Sequence, residues 1–154
     1  MQAPARRSMR AGVLLFLCAV AACDRGGRGG DEGPRVLELL NDTIQLAAGV
    51  RLIDVKVERG PDGDFDPALV QAIEGDVVRF TAADNGGHAI AFNGLALAPE
   101  ARAHLERTGQ LRGPPLITVN AAWVITLAGA PVGAYPFRCT THDVAGRLIV
   151  GTTR

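Results

Sequence analysis

The chain has 154 residues, room for one domain of ordinary size and not for two, and its 47% apolar and 21% charged content excludes an intrinsically disordered protein. Lys+Arg and Asp+Glu balance at 16 each. Residues 1–22 hold Arg6, Arg7 and Arg10 and no acid, so residues 23–154 keep 13 basic against 16 acidic groups, a net charge of −3 that excludes a nucleic-acid binder.

The first 22 residues read as a targeting segment. Three arginines precede the apolar run Ala11–Val20, which is too short to span a bilayer, and the small residues Ala21 and Ala22 lead into Cys23. Val20-Ala21-Ala22-Cys23 resembles a bacterial lipobox, in which Cys23 becomes the lipidated first residue after cleavage. An ordinary secretory signal cut near Ala22 is the alternative. The lipoprotein reading is favoured by the Gly-rich run from Asp24 to Pro34, a tether whose 11 residues reach about 17–20 Å as a flexible coil. The expected organisation is a signal over 1–22, a lipidated cysteine and tether over 23–35, and one domain over 36–154. Cys18 leaves with the signal, so Cys139 is the one unmodified thiol of the mature chain. Without a partner for an internal disulfide, it is a spare thiol, an intermolecular link or a metal ligand.

From Val36 the pattern is β. Val36–Leu40 and Thr43–Ala47 are short apolar runs split by a turn at Asn41-Asp42. Ile53, Val55 and Val57 alternate with charged residues, the period of a half-buried strand, and Gly60–Gly63 then breaks the chain. Strands are expected over Leu69–Ile73 and Val77–Thr81, with Val78 and Phe80 inward and Arg79 outward. One helix is expected from Pro99 to a stop at Gly109, with Glu100 in its first turn and an Arg102/Glu106 pair on its wet face. His104 on that helix reads as solvated. Further strands are expected over Leu116–Val119, Trp123–Leu127, Tyr135–Cys139 and Leu148–Thr152, with Trp123 in the core. Seven or eight short strands at this spacing imply an all-β, Greek-key β-sandwich.

Three features carry chemistry: Asn85-Gly-Gly-His88, Tyr135-Pro-Phe-Arg-Cys139 and Thr140-Thr-His142. Period 2 sets Tyr135, Phe137 and Cys139 on one face, so the thiol points inward, and His142 can converge on it across a short loop. A thiolate with two imidazoles is a soft nitrogen–sulfur set that suits copper. These residues resemble the cupredoxin (type 1 blue-copper) family, in particular its plastocyanin and pseudoazurin branches. The likeness runs from Ala72-Ile-Glu-Gly-Asp-Val-Val-Arg-Phe80 through Asp84–His88 to Tyr135-x-Phe-x-Cys139-x-x-His142-x-x-x-Gly146 and covers about residues 50–154. The resemblance implies a cupredoxin-like sandwich with one short helix between the first His ligand and the Cys ligand. It also implies one copper ion held by His88, Cys139 and His142, with the Gly87 carbonyl as a remote axial contact. The family's axial methionine falls at Arg147, which cannot ligate, and the chain's two methionines, Met1 and Met9, both lie in the signal.

The function implied is extracytoplasmic one-electron transfer by a lipid-anchored, periplasmic or cell-surface protein with a redox protein partner, a cytochrome or an oxidase, docked transiently. The alternative is a copper-free or Cu(I)-holding binding module. Counting excludes several enzymes: three histidines cannot build a trinuclear copper cluster, and one thiol cannot build a binuclear centre. A Cys–His nucleophile has no helix N-terminus to activate it and no small organic substrate pocket beside it, so no enzymatic activity is expected. Arg138 and Arg147 are two cations near the ligand loop, too few alone to define a docking patch.

Overall fold

The computed structural model describes residues 33–39, 43–59 and 64–152. The signal over 1–22, Cys23, most of the tether, the Asn41-Asp42 turn and the Gly60–Gly63 break lie outside the described residues. Among the described residues no helix is long and apolar enough to cross a membrane.

Strands β1 (Arg35–Glu38) and β2 (Thr43–Leu46) pair antiparallel as a two-stranded sheet. The remaining strands form two four-stranded sheets. One runs in the order β4 (Phe65–Asp66), β3 (Leu52–Val57), β6 (Val77–Ala82), β8 (Ala122–Thr126). The other runs β5 (Leu69–Ile73), β10 (Ala145–Gly151), β9 (Gly133–Cys139), β7 (Ile90–Phe92). The chain switches sheets at each connection from β4 to β9, so β5 lies parallel beside β10 and β3 parallel beside β6. Helix α1 (Pro99–Arg107) sits between β7 and β8, hence between His88 and Cys139 in sequence. This is the β-sandwich, with one short helix between the segments of His88 and Cys139, that the sequence led us to expect.

Alternation does the sorting. Val55, Val57, Val78 and Phe80 are fully buried while Asp54 and Lys56 are exposed. The inward rows meet in one core, where Phe65 and Phe80 both stand edge-on to Phe137, at 4.8 and 5.1 Å, and Trp123 stacks on Phe80 at 5.5 Å. The corner from β5 to β6 is closed by Asp76, a buried carboxylate that accepts from Arg51 and from the Ile73 N–H, so its charge is compensated.

Two expectations fail. Leu116–Val119 is not a strand. Pro114 and Pro115 offer no N–H for a ladder, and only Leu116 makes a bridge, to His88, while Ile117 is 68% exposed. His104 is buried rather than solvated. The face that α1 turns to the core is Ala101, His104 and Leu105, the i, i+3, i+4 row, whereas Arg102 and Glu106 pair on the wet side as expected. The helix ends as the sequence implies: Gly109 takes φ +68°, and Gln110 N–H reaches back to Leu105 O.

The His104 Nδ1 accepts from Arg107, and its Nε2 is buried without a hydrogen-bond partner among the described residues. Burial, reinforced by the charge of Arg107, pushes this imidazole below its ordinary value of 6.5. A histidine that resists protonation when folded binds fewer protons than it does unfolded, so stability falls as pH drops through about 6.5. Thermal unfolding compared at pH 7.5 and 5.5 is expected to show a larger drop in Tm for the wild type than for His104→Leu.

Candidate metal centre

His88, Cys139 and His142 come together at one end of the sandwich, their donor atoms all within 4.8 Å of one another. Cys139 ends β9 on the row of Tyr135 and Phe137, and its thiol is fully buried. His88 stands just before β7, where a two-way bridge to Leu116 holds its backbone from the other side. The pairing of Ile90 with Cys139 sets the two segments beside each other. His142 comes from the turn after β9, closed by Asp143 N–H on Cys139 O and by Cys139 N–H on Val144 O. Its side chain is half-buried, which makes it the most solvent-accessible of the three.

Both imidazoles present Nδ1 to the sulfur, at 3.9 Å for His88 and 3.6 Å for His142. An ion bonded to a nitrogen at ~2.0 Å and a sulfur at ~2.3 Å, with a trigonal angle between them, holds the two donors about 3.7 Å apart. The two observed nitrogen–sulfur separations bracket that figure, as a single small ion shared by the sulfur and each nitrogen requires of those two sides.

Asp84, which the sequence reading did not assign to the site, orients one corner. Its Oδ1 lies 2.8 Å from His88 Nε2, and its carboxylate also accepts from the N–H groups of Arg59 and Gly86, both at 2.6 Å. The Arg59 N–H first, then His88 and the Gly86 N–H, hold Asp84 well below the usual carboxylate range. It is therefore ionised at neutral pH and accepts the Nε2 proton, leaving the Nδ1 lone pair free on the side of Cys139. The glycines before His88 allow this approach. A side chain at Gly86 would meet Asp84 Oδ1 at 2.7 Å, and Gly87 takes φ +70°. The spacing of four between Asp84 and His88 was visible in the sequence, but only the folded loop shows which carboxylate turns inward.

Arg147 stands apart from the triangle. It pairs with Pro136 and Leu69 on β10 and is exposed, while its neighbour Leu148 is buried opposite Tyr135. The residue facing Cys139 across the turn is Val144, half-buried and packed on the core.

No family model matches the chain, and no curated protein does. Among solved structures the chain is similar to a purple cupredoxin from Nitrosopumilus maritimus. That likeness has 17% identity over 64% of this chain and 99% of the other, with a TM-score of 0.47. It is also similar to amicyanin from Paracoccus versutus, at 21% identity over 65% and 81% of the two chains, with a TM-score of 0.48. A third similarity is to oxidised plastocyanin from Dryopteris crassirhizoma, at 23% identity over 64% and 99%, with a TM-score of 0.47. The functional reading rests on the site itself.

Removing a carboxylate that orients a ligating histidine costs roughly 10–100-fold in metal affinity. Asp84→Ala is expected to lose copper affinity by that factor in a competitive chelator titration. Asp84→Asn, which keeps an oxygen acceptor for Nε2–H, is expected to lose much less.

Proposed function

We propose that this protein is an exported copper-binding electron carrier, anchored to the membrane through lipidated Cys23, with one ion held by His88, Cys139 and His142. The observation that carries the reading is the pair of Nδ1–Sγ distances, 3.9 and 3.6 Å, in a buried nitrogen–sulfur triangle with one histidine facing solvent. Such a set suits copper in trigonal geometry. Copper, when bound, supplies a one-electron Cu(II)/Cu(I) couple.

The chain's residues do the rest. Strand and turn hydrogen bonds hold the three donors in place before any ion arrives, so little need move when the charge at the site changes. Cys139 itself is fully buried on the inward row of β9, so its sulfur is kept from water. His142 is the exit, because it alone of the three reaches the surface. Ile117 and Val119, exposed in the segment that bridges His88, supply apolar area for a brief contact with a redox protein. The carbonyl of Gly87 is the remaining candidate for a weak axial contact.

A second reading, a holder of Cu(I), draws on the same geometry. Val144 beside Cys139 and an exposed Arg147 leave the triangle without a strong fourth donor from β10, an arrangement that favours the lower-valent ion.

Cu(II) titration followed by visible absorption and EPR tests the proposal. One equivalent is expected to raise an intense thiolate-to-copper band that Cys139→Ser abolishes. Arg147→Met is expected to leave that band unchanged, since its side chain faces away from the triangle. Tight Cu(I) binding with no Cu(II) band would favour the second reading, and no binding of either ion would overturn both. In the loaded protein, His142→Ala is expected to slow electron exchange with a redox partner. An unchanged rate would contradict the exit route.

A further inference from the structure

The outer face of the sheet that carries Cys139 holds an arrangement the metal centre does not use. Residues paired across a sheet present their side chains side by side on one face, with Cβ atoms about 4.5–5.5 Å apart. The row next to Cys139 reads Ala145 on β10, Arg138 on β9, Ala91 on β7 and then Arg112, bridged to Ala91 from the far side. Two arginines thus flank an alanine whose small side chain forms the floor of a groove. Arg102 of α1 and Leu95, 94% exposed, line the same groove. Arg147 lies two residues along β10 from Ala145 on the same outward face. Among the described residues two of these arginines pair with a carboxylate: Arg138 with Asp143 at 3.8 Å, both side chains largely exposed, and Arg102 with Glu106 on the helix. None of the groove-lining residues is acidic, and Arg112 is exposed. On a chain of zero formal net charge, this is a concentration of guanidinium groups, one of which, Arg138, directly precedes Cys139.

We infer that the Arg112–Ala91–Arg138 row is the docking surface for the acidic face of a protein partner. The inference rests on the electron-carrier reading for its purpose and not for its chemistry. Guanidinium groups match carboxylates two hydrogen bonds at a time and are weakly hydrated, so a row of them with an exposed leucine favours a protein surface bearing clustered Asp and Glu side chains. Complementary charge speeds encounter and sets orientation more than it adds affinity, and it fades with salt, which fits a contact that must form and release quickly. A partner seated on Arg138 lies over the strand that ends in Cys139.

The test uses binding rather than electron transfer and is run before copper is added, so failure of the copper reading does not obscure it. A hexaglutamate peptide is titrated into the protein at low ionic strength, with amide chemical shifts as the readout and inorganic phosphate titrated in parallel. Shifts are expected to centre on residues 91–95, 112 and 138 and to disappear as salt is raised. The double substitution Arg112→Glu/Arg138→Glu is expected to weaken peptide binding at least tenfold. Arg112→Gln/Arg138→Gln should fall between that variant and wild type. Lys56→Glu, exposed on the opposite sheet, should bind as wild type does. Shifts scattered over the surface, or binding indifferent to the double substitution, would overturn the inference. So would phosphate producing the same shifts at lower concentration than the peptide, which would mark a small-anion site instead.

Discussion

The antiparallel pairing of β7 with β9, which sets Ile90 opposite Cys139 and Phe92 opposite Phe137, is the constraint on which the candidate metal centre depends. It brings the segment of His88 beside the strand of Cys139 although 51 residues separate them. Side chains alternate along a strand, so a slip of one residue would turn Cys139 to solvent and move Phe137 out of the core. The aromatic packing therefore guards the register: Phe137 touches Phe65, Phe80 and Phe92, and its ring fills the space that a side chain at Gly146 would need. The interactions that stabilise the sandwich and those that place the thiol are the same interactions.

Around that frame the two histidines are held differently. His88 is fixed from three directions, by its bridge to Leu116, by Asp84 at Nε2 and by the left-handed turn at Gly87. His142 is held by the backbone turn between Cys139 and Val144 and stays half-exposed. One corner is buried and tied to an anion, and another opens to the surface, an asymmetry suited to holding an ion firmly while leaving one path for an electron. Arg138, on the outer face of the same sheet, sits one residue from the thiol in sequence and on the opposite side of the strand, so its charge is kept apart from the buried donors.

Much of this was legible in the sequence because it depends on period and spacing. The alternation through Tyr135, Phe137 and Cys139 gave the inward thiol, Pro99 and Gly109 bounded the helix, and the short gap to His142 gave a second donor. What escaped depended on which way a side chain turns once the elements pack. The charged residues around His104 suggested a wet position, yet its i+3 relation to Ala101 turns it to the core. The apolar run after Pro115 looked like a strand, but it lies outside the ladder except at Leu116. Asp84 carried no signal beyond its distance from His88, and the Arg112–Ala91–Arg138 row exists only through the pairing of three separate segments. The targeting segment and Cys23 rest on sequence alone.

The central claim is that the fold itself presets a triangle of two imidazole nitrogens and one thiolate sulfur for copper. X-ray absorption at the copper edge, recorded on the loaded protein in both oxidation states, tests this most directly. The account predicts one sulfur and two nitrogen scatterers at about 2.0–2.3 Å, with the same donors retained on reduction. A shell without sulfur, or one that loses or exchanges a donor between Cu(II) and Cu(I), would contradict it.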